Sequence, residues 1–512
     1  MTSCGRNKSA FLAKDMHFFI FFYIINIVYI LRDMTPIESI LYSEGPMVSS
    51  ELARQLSRVE KIPANTASQR VSRDKRVNRI GGFFKSNQSL IYLPAHVKAG
   101  EVYPALAQVM KHYGEKYWQT LNAIQANGGS INRKFLECYT SYPINPLASH
   151  VPFDEVMQMF VTKGILVADH HEYSFASKFH PKSLSFYVGQ MLEQMKIGIL
   201  EHFASQSRNI GLVSYDTPEY FAEYGNFRWS FKGVCPVIGL RSGKSFGFVL
   251  ADIMIGRPVY EKDVSFFLSK LATIRSYKNA PRIMPYLIVD NLHPDALQRL
   301  KEQGIIVGFI HELFGEKYAE ILHELIALLK NGAESLNGEH PDKYLDLVRE
   351  LRKHNSGLIN NIKGTLFEYM VGHLHVICGA KVEIGREIYD EKGKHEMDVK
   401  ADHQERVVFA ECKATKTPIE AGKVQEWISK KVPAFNKWFK KQENFNKQLP
   451  EFEYWSTAGF TEDALLKLEE FKAQGKYKVT INGPEEIRVI ASATRDVKLK
   501  NTLETMFLNS KV

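Results

Sequence analysis

Seven residues near position 410 constrain this chain more than any others. Val407-Val408-Phe409-Ala410-Glu411-Cys412-Lys413 opens as an apolar run of strand length without polar alternation, the mark of a strand covered on both faces. It then continues into a glutamate and a lysine. Side chains alternate across a strand, so Glu411 and Lys413 share one face and Cys412 takes the other. Charges that prolong a buried strand need partners, because an isolated charge there is costly. Asp398, in Glu396-Met397-Asp398-Val399, precedes Glu411 by 13 residues. That spacing allows a hairpin to set the two carboxylates side by side.

Two carboxylates on adjacent strands make a hard oxygen site suited to Mg²⁺ or Mn²⁺. In such a site the ion polarises a scissile phosphate and lowers the pKa of a bound water. Lys413 is placed to orient that water and to stabilise charge developing in the transition state. Glu368, in a helix expected around Gly364–Met370, completes the metal shell. A strand near Val382–Ile384 comes before Asp398. After Lys413 a helical stretch from Val424 to Phe439, kinked or broken at Pro433, crosses over to strands near Tyr454–Ala458 and Tyr477–Ile481.

This order of elements and residues resembles the PD-(D/E)XK nuclease superfamily, the restriction-endonuclease-like fold, and within it the Mrr-type restriction enzymes. The resemblance covers roughly residues 345–490. The helix glutamate Glu368, the strand aspartate Asp398 and the Glu411-Cys412-Lys413 strand carry it. Gln425 stands where several members place a glutamine near the active site. One position departs from the pattern: Met397, not proline, precedes Asp398. The resemblance implies a metal-dependent endonuclease with Asp398, Glu411, Lys413, Glu368 and Gln425 as catalytic residues and Glu368, Asp398 and Glu411 as metal ligands. Restriction or defence against foreign DNA is the role it suggests; repair, junction resolution and RNA cleavage are compatible.

The rest of the chain reads as DNA-delivery apparatus. Residues 51–85 carry nine Lys or Arg against three Asp or Glu, an imbalance suited to a polyanion. Residues 34–97 read as a winged helix. A first helix opens at Pro36-Ile37-Glu38, a second is capped by serine in Val48-Ser49-Ser50-Glu51, a third is capped in Asn65-Thr66-Ala67-Ser68, and a hairpin closes the unit. In such a fold the third helix enters the major groove, which makes Arg70, Arg73, Lys75, Arg76 and Arg79 the expected contacts to double-stranded DNA. Residues 98–180 read as a second unit of this type whose third helix carries little positive charge. In the hairpin turn there, Asp169-His170-His171-Glu172 reads as a solvated polar turn.

From 185 to 330 helices alternate with apolar strands, indicating an α/β domain. Phe248-Val249-Leu250-Ala251-Asp252-Ile253-Met254 parallels the strand that ends at Lys413, with Met254 in place of the lysine. These residues therefore read as a possible inactive copy of the 345–512 nuclease domain, with convergence of common α/β patterns as the alternative. Gly239 to Ser245 approaches a phosphate-binding loop but is one residue short and leads into a strand, so no nucleotide cofactor is expected.

The whole is a multidomain α/β protein with winged-helix units and a restriction-endonuclease-like core at its C-terminus. Five scattered cysteines without a CxxC pair point to a reducing, cytoplasmic setting. Residues 1–33 form a basic, then apolar leader. The preferred reading takes Met34 as the true start, and a membrane anchor through residues 16–31 is the alternative. One intact site per chain implies a homodimer if both DNA strands are cut. A DNA-binding regulator with scaffold-only nuclease-like domains is the rival from another functional class.

Overall fold

The computed structural model describes residues 34–169, 171–179, 186–237, 246–278, 282–390, 393–442, 445 and 448–508. The leader 1–33, the turn 239–245 and His170 lie outside the described residues. Among those described, no helix is long and apolar enough to cross a membrane. The chain divides into two compact units. The first holds residues up to 122 together with 157–168 and 174–183; the second holds 123–156, 169–173 and 184–512.

The first unit begins with the helix Pro36–Glu44, closed by a capping box. Thr35 accepts from the Glu38 amide at 3.2 Å, and the Glu38 carboxylate accepts from the Thr35 amide at 2.7 Å. Strand β1 (Met47–Val48), the helices Ser49–Glu60 and Ala64–Arg73, and strands β2 (Asn78–Gly81) and β3 (Ser89–Tyr92) follow, in an antiparallel sheet ordered β1-β3-β2. Ile40, Leu41, Leu52, Leu56, Val71 and Ile91 form their common core. The helix starts differ from expectation. Ser49 lies inside the second helix, where its hydroxyl donates to Gln88 Oε1 at 3.1 Å, and Val48 is the cap residue. The third helix starts at Ala64 after Pro63, one residue ahead of the expected cap.

Between 98 and 180 come the helices Val102–Tyr113 and Glu115–Ala126, strand β4 (Ser130–Asn132), the helices Arg133–Cys138 and Phe153–Thr162, and strands β5 (Leu166–Asp169) and β6 (Glu172–Phe175). The boundary between the two units passes through this segment.

The second unit contains two five-stranded mixed sheets built to one plan. In the first, β7 (Glu219–Tyr224), β8 (Phe227–Cys235) and β9 (Gly247–Met254) pair antiparallel in sequence order. Strands β10 (Ile283–Val289) and β11 (Ile306–Phe309) then join parallel to β9. In the second, β12 (Lys381–Asp390), β13 (Gly393–Asp402) and β14 (Arg406–Lys413) are antiparallel, and β15 (Leu449–Ser456) and β16 (Lys478–Asn482) join parallel to β14. Helices occupy matching places. Phe186–Asn209 and Lys363–Ile377 precede the sheets, Ser265–Arg275 and the 421–439 crossover link third to fourth strand, and Pro294–Glu302 and Glu462–Ala473 link fourth to fifth.

Both sheets contribute to one continuous core that includes Ile253, Ile288, Leu322, Leu345, Phe367, Val408 and Ala410. The helix Phe186–Asn209 approaches 356–361 closely at Gly198. A Cβ there would stand 2.6 Å from Leu358 Cα, which is why no side chain fits.

Candidate active site

Strand β14 is covered on both faces, as its unbroken apolar run requires. Val408, Ala410 and Cys412 pack into the core shared with the helix Lys363–Ile377. Val407 and Phe409 point to a second core built from the crossover helix, with Val424, Trp427, Phe435 and Phe452. Glu411 and Lys413 continue the second set. The β13–β14 ladder ends at Val399 opposite Ala410, and the next pair in that register is Asp398 and Glu411.

The β12–β13 hairpin turns over at this same point. Ile384 and Val399 face the shared core, whereas their neighbours along the strands, Arg386 and Met397, face the crossover side. Gly385, between Ile384 and Arg386, takes φ +62°, a conformation glycine adopts without strain. Asp398 thus sits at a corner of the sheet, where the Cys412 amide donates to its Oδ2 at 2.6 Å.

Of the five predicted catalytic residues, Asp398, Glu411 and Lys413 are in direct contact, and Glu368 lies on the facing helix within electrostatic reach of them. Asp398 and Glu411 are buried, at 8% and 3% exposure. Burying an ion without partners costs several kcal/mol, so the pair must be neutralised in place. Lys413 Nζ lies 3.3 Å from Asp398 Oδ2 and 2.8 Å from Glu411 Oε1. Burial opposes its charge, but Asp398 and Glu411 outweigh that and hold its pKa well above the usual lysine value. Glu368, on the facing helix, has its carboxyl pKa raised well above the ordinary range. Burial is the main cause, followed by repulsion from Asp398 and from Glu396. A cleft of about 410 Å³ reaches Glu368, lined by Gln190, Gln194, Asn132, Asn361 and Thr365.

Gln425 is not part of this cluster. It is exposed and accepts from Lys467 Nζ at 3.3 Å. The side chain that the crossover helix does send to the carboxylates is Lys431, whose Nζ lies 2.8 and 2.7 Å from the two Glu411 oxygens. Lys431 closes a π-helical turn over Trp427–Lys431 that interrupts the crossover helix. No spacing in the sequence marks that turn, because Ile428 packs against the same core and keeps an ordinary four-residue step to Val432.

The donor set suits a hard divalent ion. Glu368, Asp398 and Glu411 are the carboxylates that could offer oxygens to such an ion. Among the described residues, no three His, Cys, Asp or Glu side chains already converge at metal-coordinating spacing. Ammonium groups stand against Asp398 and Glu411.

No protein-family model matches this sequence, and no curated protein matches it. Two solved structures show limited similarity. One is the crystal structure of a protein of unknown function, 16% identical over 24% of this chain and 65% of its own, with a TM-score of 0.18. The other, a protein from Vibrio cholerae, is 10% identical over 46% of this chain and 53% of its own, with a TM-score of 0.14. The chain thus spans less than two thirds of either protein's length. Overlaps of this size transfer neither fold nor function.

The first sheet carries a related but closed arrangement. Its β8–β9 ladder ends at Phe231 opposite Ala251, which places Ser230 beside Asp252 where the second sheet has Asp398 beside Glu411. Met254 stands at the Lys413 position. Asp252 accepts from the Ser230 amide and hydroxyl, both at 2.9 Å, and pairs with Lys270 of the crossover helix at 2.6 Å. Asp252 and Lys270 are fully buried. Lys270 also donates to the carbonyls of Cys138 and Arg228.

In the first unit Arg70, Arg73, Lys75, Arg76 and Arg79 are all exposed. Arg70 pairs with Glu60, and Arg76 lies 3.6 Å from Glu38. Arg79 is used structurally: its guanidinium donates to the carbonyls of Val71, Ser72 and Asp74 at the end of the helix Ala64–Arg73.

Proposed function

We propose that the C-terminal part of this chain is a metal-dependent DNA endonuclease of the PD-(D/E)XK type. The observation that carries this reading is the buried corner at which Asp398 and Glu411, on adjacent strands, share the ammonium of Lys413. Glu368, Asp398 and Glu411 would hold Mg²⁺ or Mn²⁺. When bound, such an ion polarises a phosphodiester and makes water a better nucleophile.

The chain's own residues do the rest. The Cys412 amide fixes the Asp398 carboxylate. Lys413, kept charged by both carboxylates, donates toward the reacting oxygens and stabilises the charge that builds on them.

The order helix, strand, helix, helix, hairpin in residues 34–97 supports a winged helix, with Arg70, Arg73, Lys75 and Arg76 turned to duplex DNA. The common plan of the two sheets, and the matching of Ser230, Asp252 and Met254 to Asp398, Glu411 and Lys413, support a duplicated domain whose first copy has lost its site. With one site per chain, cutting both strands calls for a homodimer. Restriction or defence in the cytoplasm is the setting this combination fits.

The test is cleavage of supercoiled plasmid with Mg²⁺ or Mn²⁺ by the parent protein and by Asp398→Ala and Lys413→Ala. Metal-dependent nicking or linearisation that disappears in both variants is expected. Tight DNA binding without cleavage of modified, unmodified or branched substrates overturns the reading in favour of a non-catalytic regulator. Preferential cleavage of structured RNA would move the substrate from DNA to RNA.

A further inference from the structure

We propose that Lys431 competes with the divalent ion for Glu411, holding this carboxylate in the metal-free protein and turning to the substrate's phosphate once the ion displaces it. The inference rests on the nuclease reading.

Three observations carry it. First, Lys431 Nζ engages both oxygens of Glu411 at 2.8 and 2.7 Å. Lys413 already satisfies Oε1 and reaches Asp398, so Lys431 is a second ammonium on the residue best placed to ligate a metal. Second, the π-turn that delivers Lys431 interrupts an otherwise α-helical crossover. Such turns are rare and often accompany functional sites.

Third, the closed site in the first sheet keeps a lysine in this role. Lys270, also from the crossover between third and fourth strands, pairs with Asp252, although Ser230 and Met254 have replaced the other partners. The crossover lysine therefore belongs to the common plan of both sheets.

The two lysines differ in freedom to move. Lys270 is 0% exposed and locked to two carbonyls as well. Lys431 is 26% exposed, with solvent on one side into which its flexible stem can swing. Its ammonium is not needed to fill a packing gap, since the neighbouring Trp427 and Val432 fill the core. A cation that balances Glu411 until a dication arrives keeps the metal-free corner stable. Like-charge repulsion then drives the ammonium outward toward the phosphate.

The experiment is calorimetric titration of the full chain with Mg²⁺, and with Ca²⁺ as a non-catalytic probe. The parent is compared with Lys431→Gln and Lys431→Met, and Glu411→Gln serves as the ligand-loss control. Removing the competing charge is expected to tighten metal binding by about tenfold in both neutral variants. Single-turnover cleavage at saturating Mg²⁺ is expected to slow by about tenfold or more, because a phosphate contact is lost. Lys431→Arg keeps the charge and is expected to retain parental affinity. Unchanged or weaker metal binding in Lys431→Gln and Lys431→Met overturns this inference while leaving the nuclease intact. Parental cleavage rates in these variants overturn its phosphate-facing half. If the parent neither binds Mg²⁺ or Ca²⁺ nor cleaves DNA, the nuclease reading itself falls.

Discussion

Lys413 and Glu368 show how a few charges in a buried corner shift one another's protonation. Glu368 has a carboxyl pKa well above its ordinary 4.5, because of burial and then of Asp398 and Glu396. Such a group binds more protons in the folded than in the unfolded chain. The stability it contributes is complete below about pH 4.5 and is lost as pH rises toward the folded-state value. In metal-free buffer Glu368→Gln is therefore expected to raise the melting temperature at pH 8. The gain should vanish at pH 4 and shrink when Mg²⁺ is added to both proteins. Differential scanning fluorimetry reads this directly, and a lowered melting temperature at pH 8 would contradict the electrostatic account. Arg79, by contrast, spends its guanidinium on three backbone carbonyls. Arg79→Ala should lower the stability of the first unit by about 1–2 kcal/mol in chemical denaturation, whatever it does to DNA affinity.

Among the elements, the clearest case is the buried pair between β9 and its crossover helix. Asp252 and Lys270 are both fully buried, so removing one partner strands a charge. Lys270→Met is expected to cost about 3–5 kcal/mol, and Asp252→Leu combined with Lys270→Met much less, because paired replacement leaves no orphan. Urea unfolding of the two variants separates these outcomes; equal losses would mean that packing, not charge, sets the cost.

The strands that carry the site were legible in the sequence because β14 is central and continuously apolar, and because alternation ties Glu411 to Lys413. The crossover helix was less legible. Gln425 is expected from the family resemblance alone, whereas the side chain that reaches Glu411 is Lys431, on the π-turn over Trp427–Lys431. Lys270 left a signal too: it falls within the buried stripe Phe266, Phe267, Leu271, Ile274, where a lysine implies a buried partner. Ser49 does not cap its helix because its hydroxyl bonds Gln88, 39 residues away, a tertiary contact that no local pattern reveals.

For the whole molecule, the proposed nuclease assigns DNA binding to the exposed basic helix of the first unit and cleavage to the carboxylate–lysine corner of the second. Replacing Arg70, Arg73 and Arg76 together by alanine is expected to weaken duplex binding at least about tenfold and to reduce the slope of log affinity against log salt by about 2–3, one for each lost phosphate contact. Fluorescence anisotropy over a salt series measures both, and an unchanged slope would place the DNA contact elsewhere.

Single-turnover cleavage of an end-labelled duplex by the parent and by Glu411→Gln shows whether scission occurs at the Asp398–Glu411 corner. DNA binding is measured alongside in Ca²⁺. Glu411→Gln is expected to lose at least about 100-fold in cleavage rate with DNA affinity retained. Cleavage by Glu411→Gln at the parental rate would contradict scission at that corner, because the reaction would then have to take place at another site.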